Sequence, residues 1–327
     1  MVRSFRPSSF LLSYISVLTV FLVGVTAAAS DPARITVVAN VTLRAQPSPA
    51  SPAVAQLPLG TEVTEAGPAG LDKTWVRVRL ADAREGWLQS TLARPLDPTW
   101  RWPVFDRIIA ERLGRTGDAF PANAELVAFI ERVAPEYTDP DGRARVEFAR
   151  VRALANALKS IPRNGGRRDP YSTWLAGRKS EAIYDEPGGS WMVNEATLWS
   201  LHTRHSGSTS ADDIAWFAVT NGLPGECEGY LACYLAARNR LQGEYLRRHP
   251  LGRHTAQAVA AVNDTVDILG APPRGPNGHT AYEFDKARDC KDVTSSIDAL
   301  TAAVKGTRVD TREAAMNNLS GLRRICQ

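Results

Sequence analysis

The periodicity of the apolar residues changes once along this chain, near residue 100, and this change limits the folds that the chain can adopt. Before it, residues 34–95 are rich in Val and Thr, are interrupted by Pro and Gly, and show no helical period. We predict five strands here, at Ile35–Val38, Val41–Ala45, Thr61–Glu65, Trp75–Leu80 and Gly86–Gln89. Five short strands can close a small β-barrel around one core.

Helical patterning dominates after a linker over residues 96–103, which Pro98 and Pro103 mark. The apolar positions recur at helical spacing and predict helices at Pro103–Leu113, Ala122–Val133, Asp141–Ile161, Glu195–His202, Ala211–Thr220, Tyr230–Arg248, Arg253–Leu269, Asp289–Val304 and Asp310–Ile325. The turn cluster Glu186–Gly189 predicts a hairpin within Ile183–Val193. The fold class is therefore multidomain, an all-β barrel over residues 34–95 followed by an irregular α-helical domain over residues 104–327.

The N-terminus has the order of a secretory signal peptide. Arg3 and Arg6 precede a mostly apolar run over residues 10–25, and the small residues TAAAS follow. The run is shorter than the ~20 residues that cross a bilayer comfortably. We therefore predict a signal segment over residues 1–30 and export to the periplasm or medium of a bacterium, with no membrane span after cleavage. The alternative is an uncleaved anchor, which would make the chain a sensor ectodomain.

The four cysteines agree with export, because an even number in an oxidising compartment indicates disulfides. If the helices predicted at Asp289–Val304 and Asp310–Ile325 fold back antiparallel, Cys290 meets Cys326. Cys227 and Cys233 then close the small loop CEGYLAC. No second Cys or His lies at the spacing of a zinc site, so we predict no metal.

Four sequence blocks in residues 34–95 resemble the bacterial SH3-like domain. They are VTLRAQP from Val41, VAQLPLGTEV from Val54, WVRV from Trp75 and REGWL from Arg84, in the order of that family's motifs. The first block departs from the family at Thr42-Leu43, where many members have Asn-Val or Leu-Asn. The resemblance covers about 60 residues and no more of the chain.

The resemblance implies a binding module that holds a cell-wall peptide or a partner segment. Trp75 and Trp87 are its candidate ligand-binding residues, since an indole offers a large contact area at modest entropic cost. Arg44 is a candidate cation in the same groove. The alternative is that both tryptophans only fill the barrel and that Arg44 is a strand residue bonded to loop carbonyls.

Residues 230–270 resemble the helix–turn–helix junction of the tetratricopeptide-type repeats of bacterial envelope proteins. The resemblance rests on EYLRRHPLGRH from Glu244 and on the following Ala258-Val259. Pro250 ends one helix, Gly252 permits the turn, and small residues let the next helix pack closely. One copy is visible, whereas solenoids need three or more.

Two further patterns carry a structural and a functional interpretation. Arg145, Arg152 and Lys159 recur at i, i+7 and i+14 on one predicted helix, and form either a solvated face or a contact for an anionic surface. His202 and His205 lie at i, i+3 and could bind a metal together, but no HExxH, HxH or DxD motif accompanies them. We interpret them as a surface pair at a helix end.

The chain carries no motif that defines an enzyme. It lacks GxSxG, and a Cys–His peptidase would need a free cysteine. Glu226 and Glu228 flank Cys227 before a predicted helix, which is the best catalytic candidate: a wall-cleaving hydrolase needs one carboxyl held as an acid. The alternative is that both carboxylates face the positive end of that helix.

The export signal and the SH3-like resemblance together favour a non-catalytic protein of the bacterial envelope. With 39 basic and 35 acidic residues, the formal charge of +4 does not indicate a nucleic-acid partner. We expect the SH3-like domain to bind peptidoglycan or an envelope protein, the helical domain to serve as its scaffold, and no cofactor to be needed. The alternative is a peptidoglycan hydrolase with its site near Glu226 and Glu228.

Overall fold

The computed structural model describes residues 32–67, 73–222, 226–270 and 282–327. The predicted signal segment, residues 1–30, lies outside these ranges. Within them, no helix combines the length and the apolarity needed to cross a membrane.

The N-terminal part is a seven-stranded antiparallel sheet. Its strands are β1 (Ala33–Thr36), β2 (Val41–Arg44), β3 (Ala53–Leu57), β4 (Glu62–Glu65), β5 (Trp75–Arg79), β6 (Glu85–Gln89) and β7 (Ala93–Leu96). They pair in the order β3-β2-β6-β5-β4-β1-β7. The all-β fold predicted for this segment is confirmed.

The two strands that the sequence did not predict, β3 and β7, are those at the ends of the pairing order. β3 follows a Pro/Ser/Ala loop and carries two alanines, so its apolar alternation is weak. β7 contains Pro95, which cannot donate to a ladder and is tolerated where a strand is paired on one side. The first strand also lies two residues earlier than predicted, at Ala33–Thr36 instead of Ile35–Val38.

Eleven α-helices are described in the part of the chain that follows the sheet. They are α1 (Trp102–Leu113), α2 (Phe120–Val133), α3 (Pro140–Lys159), α4 (Tyr171–Ala176), α5 (Glu195–Arg204), α6 (Ala211–Thr220), α7 (Leu231–Arg238), α8 (Glu244–Arg248), α9 (Thr255–Gly270), α10 (Lys286–Lys305) and α11 (Arg312–Arg323). A hairpin of β8 (Ala182–Asp185) and β9 (Ser190–Val193) interrupts them, and it begins one residue before the segment where a hairpin was predicted.

The helix predicted at Tyr230–Arg248 consists of three segments, α7, a π-helical segment and α8. A π-helical segment, Asn239–Gly243, separates α7 from α8. Such a segment inserts extra residues into a helix and turns the side chains that follow it. Because of this insertion, residues 230–248 do not form the single regular α-helix that the apolar spacing predicted.

The helices are organised around two apolar cores. One core joins residues of α1 to α6, among them Phe105, Phe129 and Leu201. The second joins residues of α6 to α11, among them Tyr245 and Leu300. Helix α6 contributes to both cores, and Trp199 of α5 packs at the edge of both. The two halves of the helical region therefore meet along α5 and α6.

The sheet and the first helices share one of these cores. Ile35 and Leu59, each at most 1% exposed, pack in the same cluster as Phe129 of α2. The Arg132 guanidinium donates to the carbonyl oxygens of Leu59 and Gly60 at 2.8 and 3.1 Å. These contacts attach α2 to the turn between β3 and β4.

Two disulfides close the C-terminal half. They join Cys227 to Cys233 before and within α7, and Cys290 of α10 to Cys326 after α11, with Cα–Cα distances of 5.3 and 5.4 Å. These are the pairs that the sequence predicted. The second one ties the start of α10 to the end of the chain, since the two last helices pack against each other.

Candidate ligand-binding face

Three side chains form a row across the centre of the N-terminal sheet. Trp87 of β6 lies directly opposite Arg44 of β2 on one side and opposite Arg77 of β5 on the other. Directly opposed residues of antiparallel strands project from the same face. In the strand register Trp87 therefore lies between two arginines on one face of the sheet, and we call this surface the Trp87 face.

The opposite face of the same strands is the core of the sheet. Leu43, Val76, Val78 and Leu88 alternate with the residues of the Trp87 face and are at most 2% exposed. This period of two fixes the orientation of the row, since a shift of one residue would expose the apolar set.

Gly86 allows β2 and β6 to come close. A Cβ at this position would lie 2.7 Å from Leu43 Cγ and 2.8 Å from the carbonyl oxygen of Arg44. These distances exclude any side chain without a shift of the β2 backbone. The Gly-Trp pair at 86–87 thus places the indole beside Arg44, which gives a physical reason for that sequence block.

The three predicted binding residues share this face but differ in exposure. Trp87 and Arg44 are half-buried. Trp75 lies two residues before Arg77 on the same strand but is only 8% exposed. Trp75 is therefore covered on this face, and Trp87 is the more accessible indole.

The face is positively charged. Arg77 and Arg79 both pair with one carboxylate, Glu85, at 2.9 and 2.8 Å. Hydrogen bonding from Arg79 and the charge of both guanidiniums hold the pKa of Glu85 below its usual range, so it stays ionised. Arg44 adds a third arginine to Arg77 and Arg79 on this face.

Arg44 also binds the neighbouring loop. Its Nη1 donates to the carbonyl oxygen of Ser51 at 2.7 Å, as the structural interpretation of this residue expected. A guanidinium has five N–H donors, so this bond orients the group and leaves donors for a ligand. Sequence reasoning missed Arg77, although its alternation with Trp75 and its register opposite Trp87 would have placed it here.

The helices contact other parts of the sheet. α2 reaches Leu59 and Gly60 in the turn between β3 and β4, and Glu111 of α1 pairs with Arg94 of β7 at 2.7 Å. Both contacts lie away from the central strands β2, β6 and β5. The contacts described for α1 and α2 therefore lie outside the row of Arg44, Trp87 and Arg77.

The acidic candidates near the small disulfide are solvent-exposed. Glu226 and Glu228 both have exposed side chains, on either side of the buried Cys227. A general acid of a wall hydrolase needs a concave, desolvated setting. The exposure of these carboxyls does not provide it, and it fits their alternative role before the start of α7.

The predicted basic stripe lies on the exposed side of α3. Arg145, Arg152 and Lys159 are all exposed. Arg145 pairs with Asp106 at 3.3 Å, and the guanidinium of Arg152 lies 5.8 Å from the ring centre of Phe148. The arrangement is a solvated face with part of its charge already paired.

His202 and His205 do not act as a pair. His205 contacts Glu147 of α3 at 3.0 Å, whereas His202 is buried and contacts His249, 47 residues further along. The surface pair predicted at this helix end is therefore wrong for His202. No cluster of three or more metal-ligating side chains occurs among the residues that the structure describes.

Comparison with known protein families identifies the N-terminal part. Residues 39–93 match the bacterial SH3 domain. The antiparallel sheet and this match together show that the chain contains such a domain, followed by a helical region. No curated protein and no solved structure matches the chain. The comparison does not show the tetratricopeptide resemblance of residues 230–270.

This match indicates the general setting of the protein. Bacterial SH3 domains are common in envelope and cell-wall-binding proteins, and many bind wall or protein partners. The domain and the two disulfides indicate an extracytoplasmic protein.

Proposed function

We propose that this chain is an exported, non-catalytic protein of the bacterial cell envelope whose Trp87 face binds a wall-derived peptide or a partner segment. The observation that carries the proposal is the position of Trp87 between Arg44 and Arg77 on the central strands. The contacts described for α1 and α2 are with β7 and with the turn between β3 and β4. Export to the periplasm or medium is supported by the signal-like segment over residues 1–30 and by the disulfides.

The chemistry of the face selects the ligand class. The indole of Trp87 supplies flat apolar area, and the guanidiniums on both sides match the geometry of a carboxylate. A peptide with an exposed carboxylate beside an apolar group satisfies both. Peptides of the bacterial wall have this character, and so does the acidic segment of a protein partner.

The helical region serves as the scaffold in this proposal. The shared core with Ile35 and Leu59 fixes the SH3 domain to α2, so a ligand held by the sheet is positioned relative to the helices. The stripe of Arg145, Arg152 and Lys159 is an additional contact for an anionic polymer, with only modest strength because its charges are exposed and screened.

The sharpest test removes the indole. In co-sedimentation with purified sacculi, we expect Trp87→Ala to weaken binding at least about tenfold, since a central aromatic anchor contributes on the order of 2 kcal/mol. Trp100→Ala is the matched control, because Trp100 is 65% exposed and lies outside the sheet. Equal binding by wild type and Trp87→Ala would contradict the proposal.

The hydrolase alternative has a separate test. We expect no loss of turbidity when sacculi are incubated with wild type or with Glu226→Gln, because the exposed carboxyl at 226 lacks the setting of a general acid. Clearing by wild type that is lost in Glu226→Gln, by roughly a hundredfold or more in rate, would contradict the non-catalytic proposal.

A further inference from the structure

A buried histidine, His202, and a half-buried histidine, His249, join the halves of the helical region. The Nε2 atoms of His202 on α5 and His249 after α8 are 2.7 Å apart, and the rings meet edge to face at 5.0 Å. His202 is 3% exposed. Its helix contributes to the first core, whereas α8 contributes Tyr245 and Leu246 to the second. The contact therefore spans the seam between the two cores.

The surrounding donors determine which nitrogen of each ring carries a proton. Arg248 Nη1 lies 3.2 Å from His202 Nδ1, and a guanidinium can only donate. His202 Nδ1 is therefore unprotonated, and the proton of the neutral ring is on Nε2. That N–H donates to His249 Nε2, so His249 carries its proton on Nδ1.

This arrangement has no place for another proton. Protonation of His249 at Nε2 would set two N–H groups against each other at 2.7 Å. If His202 moved its proton to Nδ1 instead, that N–H would face the Arg248 guanidinium at 3.2 Å. Each added proton thus replaces a hydrogen bond by a repulsive contact between donors.

The nearby carboxylates do not compensate, because other groups already use them. Glu244 of α8 faces His202 but pairs with Arg247 and Arg248. Asp212 of α6 faces His249 but accepts from the Tyr245 hydroxyl at 2.5 Å and from a backbone N–H at 2.6 Å.

The other groups of the seam are aromatic rings or separate ion pairs. The Trp199 ring lies edge-on to His202 at 6.0 Å, and the Tyr245 ring stacks on His249 at 5.6 Å. His254 stacks on Trp216 and contacts Asp213 at 3.2 Å, and Arg253 pairs with Asp213 at 2.7 Å. His254 and Arg253 therefore pair with Asp213 and not with the two rings of the contact.

We propose that the His202–His249 contact is a pH-sensitive latch, which holds α5 against the corner between α8 and α9 while both rings are neutral and releases it when either ring is protonated. Release moves α5 away from the α8–α9 corner, whereas α6, which contributes to both cores, keeps the two halves of the helical region joined. An extracytoplasmic protein is exposed to changes in external pH, and the latch would respond to them.

The direction of the pH dependence follows from burial. Desolvation, with smaller contributions from His249 and Arg248, lowers the pKa of His202 to about 4 from an ordinary value of 6.5, and burial also lowers the pKa of His249. Because the closed form has the lower pKa, its stabilisation is complete above pH 6.5 and is lost as the pH falls towards 4. The titration of His202 alone is expected to raise the equilibrium constant for opening at pH 5 by roughly 30-fold, relative to its value well above pH 6.5.

Hydrogen exchange of the purified protein tests the release. We expect peptides from α5 and from the α8–α9 corner to exchange at least about tenfold faster at pH 5 than at pH 7, relative to peptides from α2 and α3 in the same sample. The relative measure removes the intrinsic pH dependence of exchange. The variant His202→Gln/His249→Gln, which cannot titrate at the seam, should lose this response, whereas His205→Gln should keep it. A constant ratio in wild type, or an unchanged response in the double variant, would overturn the latch.

Nitrogen chemical shifts provide a second measurement that needs no stable variant. At pH 7.5 the ring signals should show His202 protonated at Nε2 and His249 protonated at Nδ1, and both rings should protonate in one step on acidification. Two rings that titrate independently near pH 6.5, with no change in exchange at α5, would contradict the proposal.

Discussion

Gly60→Ala is expected to destabilise the protein by about 4 kcal/mol. Gly60 has a φ of +73°, and an added Cβ would lie 2.2 and 2.4 Å from two ring carbons of Phe129. The left-handed backbone contributes about 1–2 kcal/mol of the cost, and the overlap with a packed ring contributes the remainder. Phe129 cannot move away easily, because it is 0% exposed and packs edge-on against Phe105 at 5.8 Å.

Gly117→Ala is the matched control for this prediction. Gly117 has a similar φ of +79°, but no heavy atom lies within 4 Å of the position of its Cβ. Denaturant unfolding should therefore give a loss of only about 1–2 kcal/mol for Gly117→Ala. Equal losses for the two variants would mean that the turn at Gly60 is not held against α2, and the scaffold role of the helices would lose its support.

Removal of the Cys290–Cys326 disulfide is expected to cost about 4 kcal/mol, against about 2 kcal/mol for Cys227–Cys233. The estimate follows from loop length, since the two bridges span 36 and 6 residues and a longer loop confines the unfolded chain more strongly. The variants are Cys290→Ser/Cys326→Ser and Cys227→Ser/Cys233→Ser, compared by urea unfolding. A larger loss for the shorter bridge would contradict this account of the C-terminal half.

The centre of the SH3 domain could be predicted from the sequence because its strands carry both signals that define a strand. β5 alternates apolar and charged residues, and turn residues bound it. The two end strands could not be predicted because each lacks part of this pattern. β3 is Ala-rich, so its apolar alternation is weak, and β7 contains Pro95, which is unfavourable in a strand. The boundaries of the domain at residues 34 and 95 remain a prediction. Because Ile35 and Leu59 pack in a core shared with α2, residues 34–95 in isolation would expose both side chains.

The helices were predictable where one apolar face continues through a capped segment. For α3, Asp139 accepts from the Gly142 N–H at 2.6 Å, as the Asp-Pro-Asp start signal indicates. Asn239–Gly243 could not be distinguished in this way, because a π-helical insertion leaves the apolar pattern on both sides intact. The sequence therefore predicted one helix in place of α7 and α8.

The Trp87 face and the His202–His249 contact also differ in how far local sequence could predict them. Trp87 and Arg44 belong to short sequence blocks with a known order, so they could be found before the structure. The contact between His202 and His249 depends on the packing of α5 against α8, and 47 residues separate its two members. Since no local pattern encodes that packing, the sequence suggested the nearer partner, His205.

The most direct measurement for the binding proposal follows the tryptophan indole N–H signals of the ¹⁵N-labelled protein during titration with soluble, carboxylate-bearing wall peptides. Trp87→Phe assigns the signal of Trp87, and exposed Trp100 is an internal control. The proposal predicts a saturable shift of the Trp87 signal, a constant Trp100 signal, and weaker binding for Arg44→Gln and Arg77→Gln. A titration in which the Trp87 signal does not move while another indole signal does would contradict the assignment of this face as the ligand site.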